Sequence, residues 1–149
     1  MVTFESKDFD SLSTLELHQI FALRNEVFIV EQNCIYQDID GKDLDATHVL
    51  GYLGKEIIAY ARILKKGCAY DEYAAIGRIV VSPKLRGQNI GHELVEKSIQ
   101  WACLIHPNER IKISAQEHLV PFYTTHGFRS VGEGYLEDGI PHIAMLLDQ

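Results

Sequence analysis

The segment Ala75–Gly91, AIGRIVVSPKLRGQNIG, most constrains what this chain can fold into. A β-branched run (Ile76, Ile79, Val80, Val81) stops at Ser82-Pro83. A basic, glycine-containing turn, Arg86-Gly87-Gln88-Asn89-Ile90-Gly91, then opens an amphipathic helical pattern. Leu94, Val95, Ser98, Ile99, Ala102 and Cys103 recur at helical spacing, while Glu93, Glu96, Lys97 and Gln100 take the other face. The helix is expected from about Gly91 to His106, where Pro107-Asn108 stops it. A small-residue loop between a strand and a helix leaves backbone N–H groups unpaired at the positive end of the helix dipole, which suits a diphosphate. Gly87 and Gly91 let an anion approach the main chain, Asn89 tolerates left-handed angles, and Arg86 adds a fixed charge. An ordinary strand-to-helix connection shares these features, so the loop alone does not decide. Neither G-x-x-x-x-G-K-[ST] nor G-x-G-x-x-G occurs.

Elsewhere the elements fall into a run of strands with helices inserted. Val2–Ser6 reads as a strand, and Ser13 with Glu16 forms a capping box that starts a helix near Thr14, running toward Val30. That helix carries Leu17, Ile20, Phe21, Arg24, Val27 and Phe28. Glu31–Leu44 has no period and reads as a long loop or broken helix, a length usually kept for function. Thr47–Leu53 and Glu56–Leu64 form a hairpin around Gly54-Lys55, and Ala74–Val81 and Ile111–Ala115 are further strands. His118–His126 is a short helix; Arg129–Gly134 pairs with Ile143–Leu147 through Asp138-Gly139. The expectation is one α+β or mixed α/β domain spanning residues 1–149.

Composition excludes several classes. With 149 residues and 46% apolar content the chain supports a single core, and no apolar run approaches a membrane span. The first residues lack the order of a secretory signal, and three cysteines without a C-x-x-C pair argue against a disulfide framework, so a cytoplasmic location is expected. A net charge of −7 speaks against nucleic acid. It would steer small cationic acceptors inward, or serve solubility alone. Asp38-Ile39-Asp40-Gly41 invites a calcium reading, but Gly41 is fourth rather than sixth and Val49 stands at position twelve, so no metal is expected.

Arg86 and Gly91 match the ends of the diphosphate-loop pattern [QR]-x-x-G-x-[GA], with Asn89 in place of its middle glycine, and Phe122-Tyr123-Thr124-Thr125-His126-Gly127-Phe128 resembles a second signature. These resemble the GNAT acyltransferase superfamily. Arg24–Gln32, Tyr36–Asp40, Ala59–Arg62 and Asp138–His142 resemble its ElaA-like branch over nearly the whole chain. The resemblance implies a central mixed, mostly antiparallel sheet, splayed between two strands and flanked by helices. It implies acetyl-coenzyme A as donor substrate and a small or peptidic amine as acceptor, with no nucleic acid and no membrane; a homodimer stays open.

It also implies that the thioester lies along Ile79, Val80 and Val81, where that strand parts from Ile111–Ala115, with unpaired N–H groups at Ile79 and Val81 holding it. Arg86, Gly87, Gln88, Asn89, Ile90 and Gly91, together with Gln116 and Phe122, complete the expected coenzyme site. Tyr123 is the candidate for the group facing the departing thiolate. A phenol near ~10 and a thiol near ~8.5 differ by roughly 2 kcal/mol, so a hydrogen bond rather than full proton transfer is expected. Glu31 is the candidate base, with His48, His118 and His142 as others. Gln32, Asp38, His48, Arg78, His118 and His142 are expected on the acceptor side. Arg62 and Arg78 sit in strand patterns, so each is either paired with Asp38 or Asp40 or reserved for an acceptor carboxylate, the paired role being favoured. Cys34 lacks an evident activator, which favours direct transfer over an acyl-enzyme. The alternative is a catalytically weak acyl-coenzyme A-binding or sensing domain.

Overall fold

The computed structural model describes residues 1–149. Seven strands, β1 (Val2–Asp8), β2 (Thr47–Leu53), β3 (Glu56–Leu64), β4 (Ala74–Val81), β5 (Ile111–Gln116), β6 (Arg129–Glu137) and β7 (Ile140–Leu147), form one sheet in the order β1-β2-β3-β4-β5-β7-β6. The helices are α1 (Thr14–Arg24), α2 (Ile90–Ile105) and α3 (Val120–Thr124). Every strand pair is antiparallel except β4–β5, which the α2 crossover makes parallel. No helix is long and apolar enough to cross a membrane.

Helices cover both faces of the sheet. Ile20, Leu23 and Val27 pack on Leu50, Ile57, Tyr60 and Val80, whereas α2 lays Leu94, Val95 and Ala102 on Val49, Ala59, Ala61 and Ile63. Ile20 and Leu50 have no exposed surface, and burial of each contributes about 1.5–3 kcal/mol. The capping box forms as expected: the Glu16 N–H donates to Ser13 Oγ at 3.0 Å, and the Ser13 N–H donates to Glu16 Oε1 at 2.9 Å. The helix continues past α1 as a π-helical turn over Asn25–Glu31. The last hairpin is longer than the sequence indicates, with β6 reaching Glu137 and β7 starting at Ile140. Asp138 and Gly139 both have positive φ, 51° and 78°, the mirror-image turn whose twist matches the flanking strands.

The sheet opens at its one parallel pair. β4 and β5 are in register only at Ala74↔Ile111 and Ala75↔Lys112, after which they part. A bulge in β4 lies beside this opening. Against β3, Arg62 pairs with Gly77 and Tyr60 with Val80, so Arg78 and Ile79 face the single residue Ala61, and Arg78 takes φ 51°. A bulge bends and overtwists its strand. The splay expected between these two strands is therefore present.

Candidate active site

The loop after β4 leads into α2 through Gly87 (φ 81°) and Asn89 (φ 62°). Asn89 is the residue preceding the helix, and its side chain makes no capping hydrogen bond. The first turn closes with the Glu93 N–H on the Asn89 carbonyl. The amides ahead of Glu93 thus lack intrahelical acceptors, with the positive end of a 16-residue helix behind them. A Cβ on Gly91 would stand 3.7 Å from Phe122 and 4.0 Å from Val81, so α3 and β4 wall this turn closely. The Ile90 side chain is buried in the core, leaving only its main chain to the loop.

Arg86 is engaged. Its Nη1 and Nη2 donate to the two carboxylate oxygens of Glu31 at 2.8 and 2.6 Å. That pairing holds the Glu31 carboxyl below the usual carboxylate range. Glu31 does not line the cavity, and its engagement with Arg86 speaks against a role as base.

That cavity, about 360 Å³, opens where β4 and β5 separate. It gathers six of the expected residues: Gln32, Arg78, Ile79, Gln116, Tyr123 and His142. The Ser82 N–H donates to Ile58 O on β3 at 2.7 Å, and strand alternation turns the Val81 amide the other way, toward the gap. The Val80 side chain is buried against α1 instead. Tyr123 is buried edge-on to Phe122 and Phe128 and lines the cavity. Burial pushes its phenol up to about 12.

One wall of the cavity belongs to a network of three guanidinium and three carboxylate groups, of which Asp40, Arg62 and Arg78 line it. Arg24 Nε meets Asp38 at 2.9 Å and its Nη1 meets Asp43 at 2.8 Å; Arg62 Nη1 meets Asp40 at 2.7 Å and Asp43 at 3.0 Å; Arg78 Nε lies 2.7 Å from Asp38. The expected pairing of Arg62 and Arg78 with Asp38 and Asp40 is present. Burial alone would raise the Asp40 carboxyl, but Arg62 and Arg78 overcome it and hold it at about 2.

Three acceptor-side candidates do not line the cavity. Asp38 is buried and bonded by Arg24, Arg78 and the Tyr36 hydroxyl, so it anchors the loop instead of meeting a ligand. His48 has no exposed surface. Its Nε2 lies 2.9 Å from the Asp43 carbonyl, so that nitrogen donates, and Nδ1 accepts from the Tyr60 hydroxyl at 2.6 Å. Burial lowers its pKa further, which keeps the ring neutral and structural. His118 is exposed on the turn after β5 and lies off the cavity.

The sequence reading missed Glu137, Arg24 and the bulge. Glu137 lines the cavity with its Oε2 3.4 Å from His142 Nε2. Its signal is the two-residue Asp138-Gly139 turn, which sets Glu137 opposite Ile140. Arg24 on an otherwise apolar helix face signals a buried ion pair, and Gly77 within a β-branched run signals a bulge.

A family model described as an acetyltransferase (GNAT) domain matches residues 12–148. Protein ElaA of Escherichia coli K12 is 45% identical over 147 residues, covering 97% of this chain and 95% of that protein. The crystal structure of Escherichia coli ElaA superposes with a TM-score of 0.93 at 43% identity, covering 99% of this chain and 100% of the other. An acyl-CoA N-acyltransferase from Pseudomonas aeruginosa gives 0.93 at 39% identity, covering 99% of both chains. With its splayed sheet, its uncapped helix start and these relatives, the chain belongs to the GNAT acetyltransferase family, in the branch that contains ElaA.

Proposed function

We propose that this protein transfers an acetyl group from acetyl-coenzyme A to a primary amine of a small molecule or peptide, by direct attack in a ternary complex. One observation carries the reading: an uncapped helix start walled by β4 and α3, at the end of the strand that borders a 360 Å³ cavity. Acyl transfer needs an anion grip, a carbonyl site and a group near the leaving sulfur. The amides of Gly87–Gly91, with Arg86 released from Glu31, supply the grip for the diphosphate. The Ile79 and Val81 amides, along the main chain of Ile79–Val81, supply donors for the thioester and pantetheine arm. Gln116 and Phe122 flank that arm, and the Tyr123 hydroxyl faces the departing sulfur. Gln32 and Arg78 border the acceptor.

The name of the Pseudomonas aeruginosa relative, an acyl-CoA N-acyltransferase, supports both donor class and acceptor atom. A thiol-release assay with acetyl-coenzyme A and a panel of primary amines tests the reading, with calorimetry of coenzyme A alongside. Turnover of at least one amine is expected. Binding without turnover across the panel would favour a sensing domain instead.

A further inference from the structure

The proposed transfer leaves one demand without a residue: an alkyl amine arrives protonated, and something must take that proton before nitrogen attacks. Most cavity-lining groups are committed. Asp40 is held by Arg62 and Arg78, Tyr36 gives its hydroxyl to Asp38, and Cys34 turns its thiol to the Asp138 carbonyl at 3.2 Å. His142 differs. Its Nδ1 lies 2.7 Å from the Ile140 carbonyl, which can only accept, so Nδ1 carries the hydrogen. In the neutral ring the lone pair therefore sits on Nε2, which lies 3.4 Å from the Glu137 carboxylate. A lone pair beside a carboxylate makes no hydrogen bond until a proton arrives; protonation turns the contact into an ion pair.

The ring is also held in place. It is buried, stacked on Tyr135 with the planes 19° apart, and its residue pairs across the ladder with Gln116 on β5 and Tyr135 on β6. Glu137 from β6 and Asp138 in the turn border the same side of the cavity, and Glu117 lies across Gly134 from the His142 main chain. We infer that His142 is the catalytic base for the acceptor amine, with Glu137 as the positioning residue that holds the imidazolium. This rests on the N-acetyl-transfer reading.

His142 Nε2 takes one proton from the ammonium, and the freed nitrogen lone pair forms the N–C bond to the thioester carbonyl carbon. As the carbonyl re-forms, the C–S bond breaks with its electron pair on sulfur. A second proton passes from nitrogen to sulfur through the Tyr123 hydroxyl, and His142 returns its own to solvent past Glu137. An amide, the coenzyme A thiol and one proton leave.

The test uses the full chain, an amine from the panel that the wild type acetylates, and a β-polyfluorinated analogue of that amine, chosen to be largely neutral at the assay pH. His142→Gln is expected to lower kcat/KM for the alkyl amine by ~10²–10³-fold, with coenzyme A affinity unchanged. It should recover toward wild type with the fluorinated amine or at a pH that deprotonates the alkyl amine. A loss under threefold, or an equal loss for both amines at every pH, overturns the inference. Glu137→Gln, at a half-exposed side chain, is expected to lower kcat for the alkyl amine ~3–30-fold with KM nearly unchanged, and to recover toward wild type with the fluorinated amine. An equal loss for both amines in Glu137→Gln overturns the inference even where His142→Gln does not fold. A wild type that acetylates no amine would instead sink the parent reading, a distinguishable result.

Discussion

Tyr123 is buried and lines the cavity, with its phenol pushed up to about 12 by burial. Against a free thiol near ~8.5 the gap is roughly 3.5 units, or about 5 kcal/mol, so a full proton transfer ahead of C–S cleavage is strongly uphill. In the proposed reaction the hydroxyl hydrogen-bonds the sulfur as charge develops and relays the proton from nitrogen. Tyr123→Phe keeps the packing and is expected to lower turnover ~10²–10⁴-fold with coenzyme A affinity nearly unchanged, in steady-state kinetics with parallel calorimetry. A loss under threefold would reduce Tyr123 to a packing residue. Glu31 makes the opposite kind of prediction. Its carboxylate occupies both ends of the Arg86 fork, the same cation proposed to meet the diphosphate. Glu31→Gln therefore frees Arg86 and is expected to tighten coenzyme A binding about 2–5-fold at low salt. Were Glu31 the base, the same substitution would abolish turnover and leave affinity alone.

At the scale of elements, α1 is tied to the sheet by a carboxylate with three donors. Burial alone would raise the Glu16 carboxyl, yet the Ser13 N–H, the Tyr52 hydroxyl and Lys7 hold it at about 2, against 4.5 when free. A carboxyl lowered by folding stabilises the native state above its unfolded value, and that contribution fades as pH falls from 4.5 toward about 2. Glu16→Gln is expected to lower Tm at pH 7 and to leave it nearly unchanged near pH 2, in thermal melts across that window. A pH-independent difference would place the stabilisation in packing.

Over the whole molecule, strand and helix order, the two hairpins and the left-handed Asn89 were legible, because each rests on local periodicity or turn chemistry. The π-helical turn was not, since Arg24, Val27 and Phe28 keep a spacing that α and π geometry share. The roles of Arg24, Asp38 and His48 were missed for another reason. Their partners lie in an aperiodic loop or across the sheet, and an acidic loop residue reads as solvent-facing until its guanidinium is located. Tyr123 and His142 converge only because β5, α3 and the last hairpin meet beside one gap, a juxtaposition that local pattern does not encode.

If free main-chain amides at the head of α2 are the coenzyme's anchor, an intramolecular anion placed over them should compete with it. Gly91→Asp supplies that anion on the first turn, where a carboxylate favours the helix and where a Cβ meets Phe122 at an ordinary 3.7 Å. Isothermal titration of coenzyme A into the parent chain and this variant is expected to show one site in the parent and a dissociation constant raised at least ~10-fold in the variant, with no fall in melting temperature. Equal affinity in the two proteins, or no binding by the parent, would contradict the account.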